Sequence, residues 1–254
     1  MVSDGESSHA ENMHNRRLGD LGEAIMKLAL VEKFGEEGMR FNGKVSEGPD
    51  YFVELPTLRA AFEVKFWING SDIPVDHEKY ESKFSGHLLE SKKKGYRCYV
   101  AFIGKKPVSW NMIVGWSRRS NILPFYIPVD HDILDPLGSA LDMDGFDVEL
   151  WAQCIYPSVK PVILFYLSIV SHDFDELTQE ERDLVRHVFP ENKRIRDIPL
   201  FNAFLKTFTC GAKLTQIPRE LGCPSTVKDR LRQWILDGSW DSAVDVIARH
   251  RCPV

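Results

Sequence analysis

The sequence predicts an α/β domain with a mixed β-sheet flanked by helices, followed by a small all-α domain at the C-terminus. The front of the chain has the order helix, three strands, helix, strand, which favours a sheet covered by helices. Near residue 171 the strand-like runs give way to helical ones. With 254 residues, 43% of them hydrophobic, the chain is long and apolar enough to bury the required core.

The first predicted helix covers residues 18–34, where apolar side chains recur at helical spacing and Gly35 provides a stop. The segment before it, MVSDGESSHAENMHN, is polar throughout. Residues 1–15 are therefore predicted to form a disordered tail.

Short strands are predicted next at about 38–45 and 50–54, and a third strand at 59–66. A polar helix over 76–94 then leads to a half-buried strand over 96–104. Further strand-like runs follow before residue 171, namely NMIVGW (111–116), FDVELWAQCI (146–155) and PVILFYLSIV (161–170). The all-helical part begins with Thr178 and Glu181, whose spacing predicts a capping box.

Composition excludes several classes of protein. The five cysteines form no CxxC pair, which argues against a disulfide framework and against a standard zinc site. No signal peptide is visible, and the run 161–170 is too short to span a bilayer. We therefore predict a cytoplasmic protein with no membrane partner.

The segments GPD (48–50) and AFEVKFW (61–67) contain the candidate catalytic residues. Strand alternation puts Glu63 and Lys65 on one face and the apolar side chains between them on the other. A hairpin turn after residue 54 brings Asp50 back beside Glu63. Each motif alone is typical of an ordinary turn or a solvated strand, but their joint spacing favours a site. Two adjacent carboxylates suit Mg²⁺ and, with Lys65, the hydrolysis of a phosphodiester bond.

These motifs resemble those of the PD-(D/E)xK nuclease superfamily, and most closely its archaeal-type Holliday-junction resolvases. The elements appear in the family's order as LGDLGEAIMKLAL, GPD and FEVK, within residues 16–104. The resemblance implies a restriction-endonuclease-like catalytic domain over 16–172. It implies that Glu23, Asp50 and Glu63 hold Mg²⁺, for which Mn²⁺ is expected to substitute, and that Lys65 is the catalytic lysine.

Some assignments stay open within this resemblance. Asp20 lies on the same side of the first helix and competes with Glu23 for the helical acid. Residues 105–170 do not follow the compact resolvase pattern, so a branched-DNA resolvase and a sequence-specific restriction endonuclease are both alternatives. The number of metal ions, one or two, is also open.

The C-terminal domain, predicted over 173–254, contains a segment that resembles a helix-turn-helix. Residues 214–238 predict two short helices around Gly222, with Ser225 or Thr226 as the cap of the second. Between 192 and 236, nine basic residues stand against three acidic ones, a local net charge of +6 in a chain of −5. Such a basic segment indicates DNA binding, although a bundle used for dimerisation is the alternative. The predicted DNA contacts are Thr226, Lys228, Arg230 and Arg232 here, with Arg16 and Arg17 at the first helix.

Together these features predict a Mg²⁺-dependent endodeoxyribonuclease whose partner is DNA. A homodimer is compatible with this activity, because cutting both strands of a duplex usually needs two sites. The alternative from another class is a noncatalytic DNA-binding or regulatory protein on a nuclease fold. The presence of both carboxylates and the lysine argues against that alternative.

Overall fold

A computed structural model of the chain describes residues 4–42, 48–68, 87–106, 122–171, 175–189, 197–210 and 217–252. Its centre is a five-stranded mixed sheet whose strands are neighbours in chain order. The strands are β1 (Met39–Phe41), β2 (Tyr51–Leu55), β3 (Leu58–Trp67), β4 (Arg97–Gly104) and β5 (Leu123–Pro128). The first three pair antiparallel, and β3, β4 and β5 run parallel. The predicted α/β class with a mixed sheet and a helical C-terminal region is confirmed.

Helices flank the sheet and make up the C-terminal region. They are α1 (Asp4–Phe34), α2 (His131–Ala140), α3 (Val148–Val170), α4 (Gln179–Val185), α5 (Asp197–Cys210), α6 (Pro224–Asp237) and α7 (Ser239–Arg251), with a 3-10 turn at Arg219–Leu221. Residues 87–93 are also helical, as predicted. The rest of that predicted helix, 76–86, the strand at 111–116 and the end of the first strand, 43–45, lie outside the described residues.

Helix α1 begins at Asp4, where a disordered tail was expected. The polar composition of this segment does not prevent a helix, because the segment extends a helix that has a buried face from Leu18 onward. No proline interrupts it. Contacts with the segment after α2 also hold it. His14 Nδ1 lies 2.9 Å from Asp142 Oδ1, and the Arg17 guanidinium donates hydrogen bonds to the carbonyls of Leu141 and, at 3.0 Å, Met143.

The buried face of α1 packs against β3. This face consists of Leu18, Leu21, Gly22, Ile25, Met26, Ala29 and Leu30. Leu28 and Val31, which belong to the apolar pattern of this helix, are only half-buried, because the buried stripe runs one position beside them. Gly22 marks the closest approach, since a Cβ atom built there would lie 3.1 Å from the Cβ of Phe66. The apolar face of β3 thus lies under this helix.

Two of the predicted strands are wrong, because residues 148–170 form the continuous helix α3. An apolar run of about ten residues fits a buried strand and a buried helix equally well by pattern alone. The prolines at 157 and 161 both lie inside the helix. Its buried residues recur at helical spacing, as Ala152, Ile155, Val159, Val162, Ile163 and Tyr166.

Helix α3 is the one helix of the described residues long and apolar enough to cross a membrane. In its most apolar window 56% of the residues are buried inside the protein, as in the core helix of a water-soluble fold. Its length and composition are therefore weak evidence for a membrane span.

The chain divides into two compact units, Met1–Lys160 and Pro161–Val254. This division falls inside α3. The predicted boundary was residue 172, where the composition of the chain changes. The second unit has an aromatic core in which ring centroids of neighbouring side chains lie 4.6–6.4 Å apart. Its members are Phe189, Phe201, Phe204, Trp234 and Trp240.

The second unit confirms one predicted cap and corrects another. Thr178 and Glu181 form the predicted capping box at α4. Helix α6 instead begins with Pro224 after Cys223, rather than at Ser225 or Thr226, because proline at the first helical position is already in helical geometry. Before it stands only a 3-10 turn among the described residues, where an α-helix was expected.

Candidate active site

The β2–β3 hairpin places Asp50 beside Glu63. The last registered pair is Tyr51 with Phe62, and one step further along the same register Asp50 falls opposite Glu63. Directly opposite residues of an antiparallel pair share a face of the sheet. The hairpin that the spacing predicted therefore forms and brings these two side chains together.

The carboxylate of Asp50 is fixed by the backbone of β3. The Val64 N–H donates a 2.6 Å hydrogen bond to Asp50 Oδ2. Strand β2 begins at Tyr51, which pairs with Phe62, so Val64 lies beyond the part of β3 that pairs with β2. The Asp50 carboxylate accepts the Val64 N–H in place of a strand carbonyl. On the other side, the Asn42 N–H donates to the Asp50 carbonyl at 3.1 Å. Asp50 is thus held at both its backbone and its side chain.

Glu63 is a buried acid at the centre of the sheet, with 7% of its surface exposed. Its Oε1 lies 2.6 Å from Lys65 Nζ, so the two charges form an ion pair along one strand face. Its Oε2 is buried and makes no hydrogen bond within the described part of the chain. A buried carboxylate oxygen without a partner is costly unless a cation or donor binds it.

The site shifts two pKa values upward. Burial, with the nearby Glu63 and Glu23 carboxylates, raises the pKa of Asp50 to about 7 against the opposing effects of Lys65 and the Val64 N–H. Burial alone would lower the pKa of Lys65, but the carboxylates of Glu63 and Asp50 outweigh it, so that this pKa is raised. Lys65 therefore stays protonated at neutral pH.

The charge of Glu23 acts on the site. Its charge contributes to the pKa shifts of Asp50 and Lys65. It comes from α1, which covers the opposite face of β3 from Glu63. Among the described residues, no group of three or more His, Cys, Asp or Glu side chains is arranged to hold a metal ion. The described geometry thus unites Asp50, Glu63 and Lys65, and the charge of Glu23 reaches this group.

Tyr51 is a site residue that the sequence did not predict. Its hydroxyl donates a 2.8 Å hydrogen bond to the Glu23 carbonyl, and the residue is 1% exposed. Burial, with the charges of Glu23 and Asp50, raises the pKa of this hydroxyl far above its ordinary value. The contact ties the helix of Glu23 to the strand that follows Asp50. A tyrosine next to the Pro-Asp pair was the only available signal.

The predicted DNA-contacting residues fall into two groups. Arg16, Thr226, Lys228 and Arg232 are exposed. Arg17 is engaged with the carbonyls after α2 and lies 5.7 Å from the ring centroid of Phe146. Arg230 pairs with Asp197, with Nε to Oδ1 at 3.0 Å, and its side chain is only 16% exposed. Arg17 and Arg230 therefore have structural partners.

No family model matches the chain, and no curated protein or solved structure matches it either. The resemblance to the nuclease superfamily therefore rests on the sequence motifs.

Proposed function

We propose that the protein is a Mg²⁺-dependent endodeoxyribonuclease of the PD-(D/E)xK type with a restriction-endonuclease-like catalytic domain. The observation that carries this proposal is the convergence of Asp50, Glu63 and Lys65 on one face of a mixed sheet. The helix that bears Glu23 packs on the other face of the same strand. The order of these elements along the chain supports the proposal.

The residues present fit a divalent cation. Glu63 offers a buried oxygen without a hydrogen bond, and Asp50 has a pKa raised to about 7 by burial and by neighbouring negative charge. A bound cation would partner the buried oxygen of Glu63 and would favour the ionised form of Asp50. Asp50 and Glu63 would hold Mg²⁺, or Mn²⁺ in its place, with Glu23 completing the acidic set. When bound, Mg²⁺ polarises a phosphoryl oxygen and lowers the pKa of a bound water.

Lys65 acts as a cationic donor. In the metal-free protein the carboxylates of Glu63 and Asp50 raise the pKa of Lys65 above its ordinary value, which favours a cation over a general base. The protonated amine, held by Glu63 Oε1, is placed to donate to a phosphate oxygen and to stabilise the negative charge that develops as water attacks phosphorus and the bond to the leaving oxygen breaks.

The second unit is proposed to bind DNA through α6. Thr226, Lys228 and Arg232 are exposed on this helix, in the segment with a local charge of +6. Exposed cations on one helix neutralise phosphates and release counterions. Arg230 is left out of this set, because its guanidinium is bound to Asp197.

The test is cleavage of supercoiled plasmid, linear duplex and a four-way junction with Mg²⁺, Mn²⁺ or EDTA. We expect cleavage with either metal and none with EDTA. Lys65→Ala should lower the cleavage rate by about 100-fold or more, since loss of one charge-stabilising donor typically costs that much. Preference among the substrates separates resolvase from restriction-type activity.

Lys27→Ala is the matched control, because Lys27 is exposed on α1 and takes part in none of the site contacts described above. It should cut like the wild type. A Lys65→Ala protein as active as the wild type would contradict the proposed mechanism. Absence of cleavage with both metals, combined with DNA binding, would favour the noncatalytic DNA-binding alternative.

A further inference from the structure

A cluster of two arginines and two aromatic rings lies on the first unit, close to the site. The guanidinium carbon of Arg40 is 4.1 Å from the ring centroid of Phe52, and that of Arg59 is 4.2 Å from the ring centroid of Tyr96. The two rings meet edge to face at 5.0 Å. We call these residues, together with Glu54, the arginine cluster.

Stacking gives the arginine cluster a defined geometry. A guanidinium over an aromatic ring keeps its flat face against the ring and its N–H groups directed outward. Both Arg40 and Arg59 are exposed. Arg59 uses Nη1 to donate a 3.0 Å hydrogen bond to the Lys94 carbonyl, out of five N–H donors in its side chain. Planar, ordered guanidinium groups are well suited to bind phosphate.

Strand register puts the cluster on the same sheet face as the carboxylates. Arg40 pairs with Phe52, and Glu54 pairs with Arg59. Phe52 is two residues from Asp50 on β2, about 7 Å at the usual strand rise. Arg59 is four residues from Glu63 on β3, roughly 13 Å by the same rise. A strand that occupies the site and continues along this face therefore passes both arginines.

The balance of charge in the cluster is positive. Glu54 is its one acid; it accepts a hydrogen bond from the Tyr96 hydroxyl and lies 3.7 Å from Arg40 Nη2. Those contacts, with the tyrosine hydrogen bond the largest cause, keep the pKa of Glu54 below its ordinary value. Two guanidinium groups against one carboxylate leave a net positive charge beside a site whose own acids repel phosphate.

We propose that Arg40 and Arg59 bind the phosphodiester backbone of the DNA strand that enters the site of Asp50 and Glu63. The proposal rests on the nuclease function proposed above and adds to it a binding surface on the catalytic unit. Contacts of this kind position a strand without reading its sequence. The arginine cluster thus sets where the backbone lies relative to the carboxylates.

The experiment compares wild type with the double variant Arg40→Ala/Arg59→Ala by fluorescence anisotropy. The probe is a labelled DNA duplex or its single strand, with Ca²⁺ in place of Mg²⁺, over a series of salt concentrations. We expect binding at least about tenfold weaker and a salt slope reduced by roughly 1.8 on the duplex, since each lost phosphate contact removes about 0.9. The control variant Lys27→Ala/Lys33→Ala also removes two positive charges, here from α1. It should change neither the affinity for DNA nor the salt slope.

A second variant separates binding from folding. Arg40→Lys/Arg59→Lys keeps both charges and loses the planar stacking, so it should restore the salt slope of the wild type. A purely structural role would move the unfolding temperature and leave that slope unchanged. If wild type binds DNA and both arginine variants bind with the same affinity and slope, this inference fails alone. If wild type binds no DNA, the inference and the proposed function fail together.

Discussion

At the scale of single residues, the carboxylates of Asp50 and Glu63 lie close together in a part of the fold that solvent reaches poorly. Glu63 Oε1 is paired with Lys65 and Oε2 is buried without a hydrogen bond, while burial raises the pKa of Asp50 to about 7. An acid whose pKa is raised by folding binds its proton more tightly in the folded chain. Its contribution to the free energy of unfolding therefore falls as the pH rises through about 7.

Asp50→Asn should remove this destabilisation. The amide oxygen of asparagine can still accept the Val64 N–H, so the local backbone contact is retained. We expect the metal-free variant to unfold at a temperature at least about 3 °C above wild type near pH 8, with the difference shrinking in acid, since 1 kcal/mol is worth about 2–4 °C in a chain of this size.

Thermal unfolding with and without Mg²⁺ is the measurement. Mg²⁺ should raise the unfolding temperature of wild type and leave that of Asp50→Asn unchanged, because the variant lacks one of the two acids proposed to hold it. An equal response of both proteins to Mg²⁺ would remove Asp50 from the proposed metal site.

At the scale of elements, the packing of α1 on β3 decides where Glu23 lies. Gly22 precedes Glu23, and a Cβ atom there would meet Phe66 Cβ at 3.1 Å and Val64 Cγ1 at 3.4 Å. Gly19, one turn earlier on the same helix, has no atom within 4 Å of such a Cβ. The two glycines therefore differ in packing within one helix.

Gly22→Val should lower the unfolding temperature and also weaken cleavage, because the larger side chain forces the helix and Glu23 away from β3. We expect a loss of about 1–3 kcal/mol in denaturant unfolding. Gly19→Ala is the control and should gain about 0.5–1 kcal/mol through helix propensity, with cleavage unchanged. Equal effects of the two substitutions would mean that the close approach at Gly22 does not set the helix position.

The elements also show what the sequence could predict. Strands β2, β3 and β4 are short and alternate or are bounded by turn residues, so their pattern predicted them within a few residues. The Asp50–Glu63 pairing followed from the length of one hairpin. Helix α3 was missed because the apolar run over 161–170 is nearly continuous and shows no period that distinguishes a helix from a strand. The contact of Tyr51 with Glu23 depends on tertiary packing, which no local pattern encodes.

At the scale of the whole molecule, opposite charges are distributed unevenly along the chain. The net charge is −5, yet residues 192–236 carry a net +6. Within the second unit, Arg230 and Asp197 form an ion pair in which the aspartate side chain is 3% exposed. Lys228 and Arg232, on the same helix, are exposed. Formal charge alone therefore overestimates the number of cations in this unit that can meet DNA.

Substitutions on α6 should separate these two kinds of cation. Lys228→Ala/Arg232→Ala should weaken DNA binding and lower its salt slope by about 1.8 on a duplex, with no change in unfolding temperature. Arg230→Ala should instead destabilise the protein by about 3 kcal/mol, because it leaves the buried Asp197 carboxylate without its partner. Anisotropy titrations and thermal unfolding of the same preparations provide both measurements. If Lys228→Ala/Arg232→Ala binds DNA like wild type, α6 is not the DNA-binding helix, and the basic segment has another role such as dimerisation.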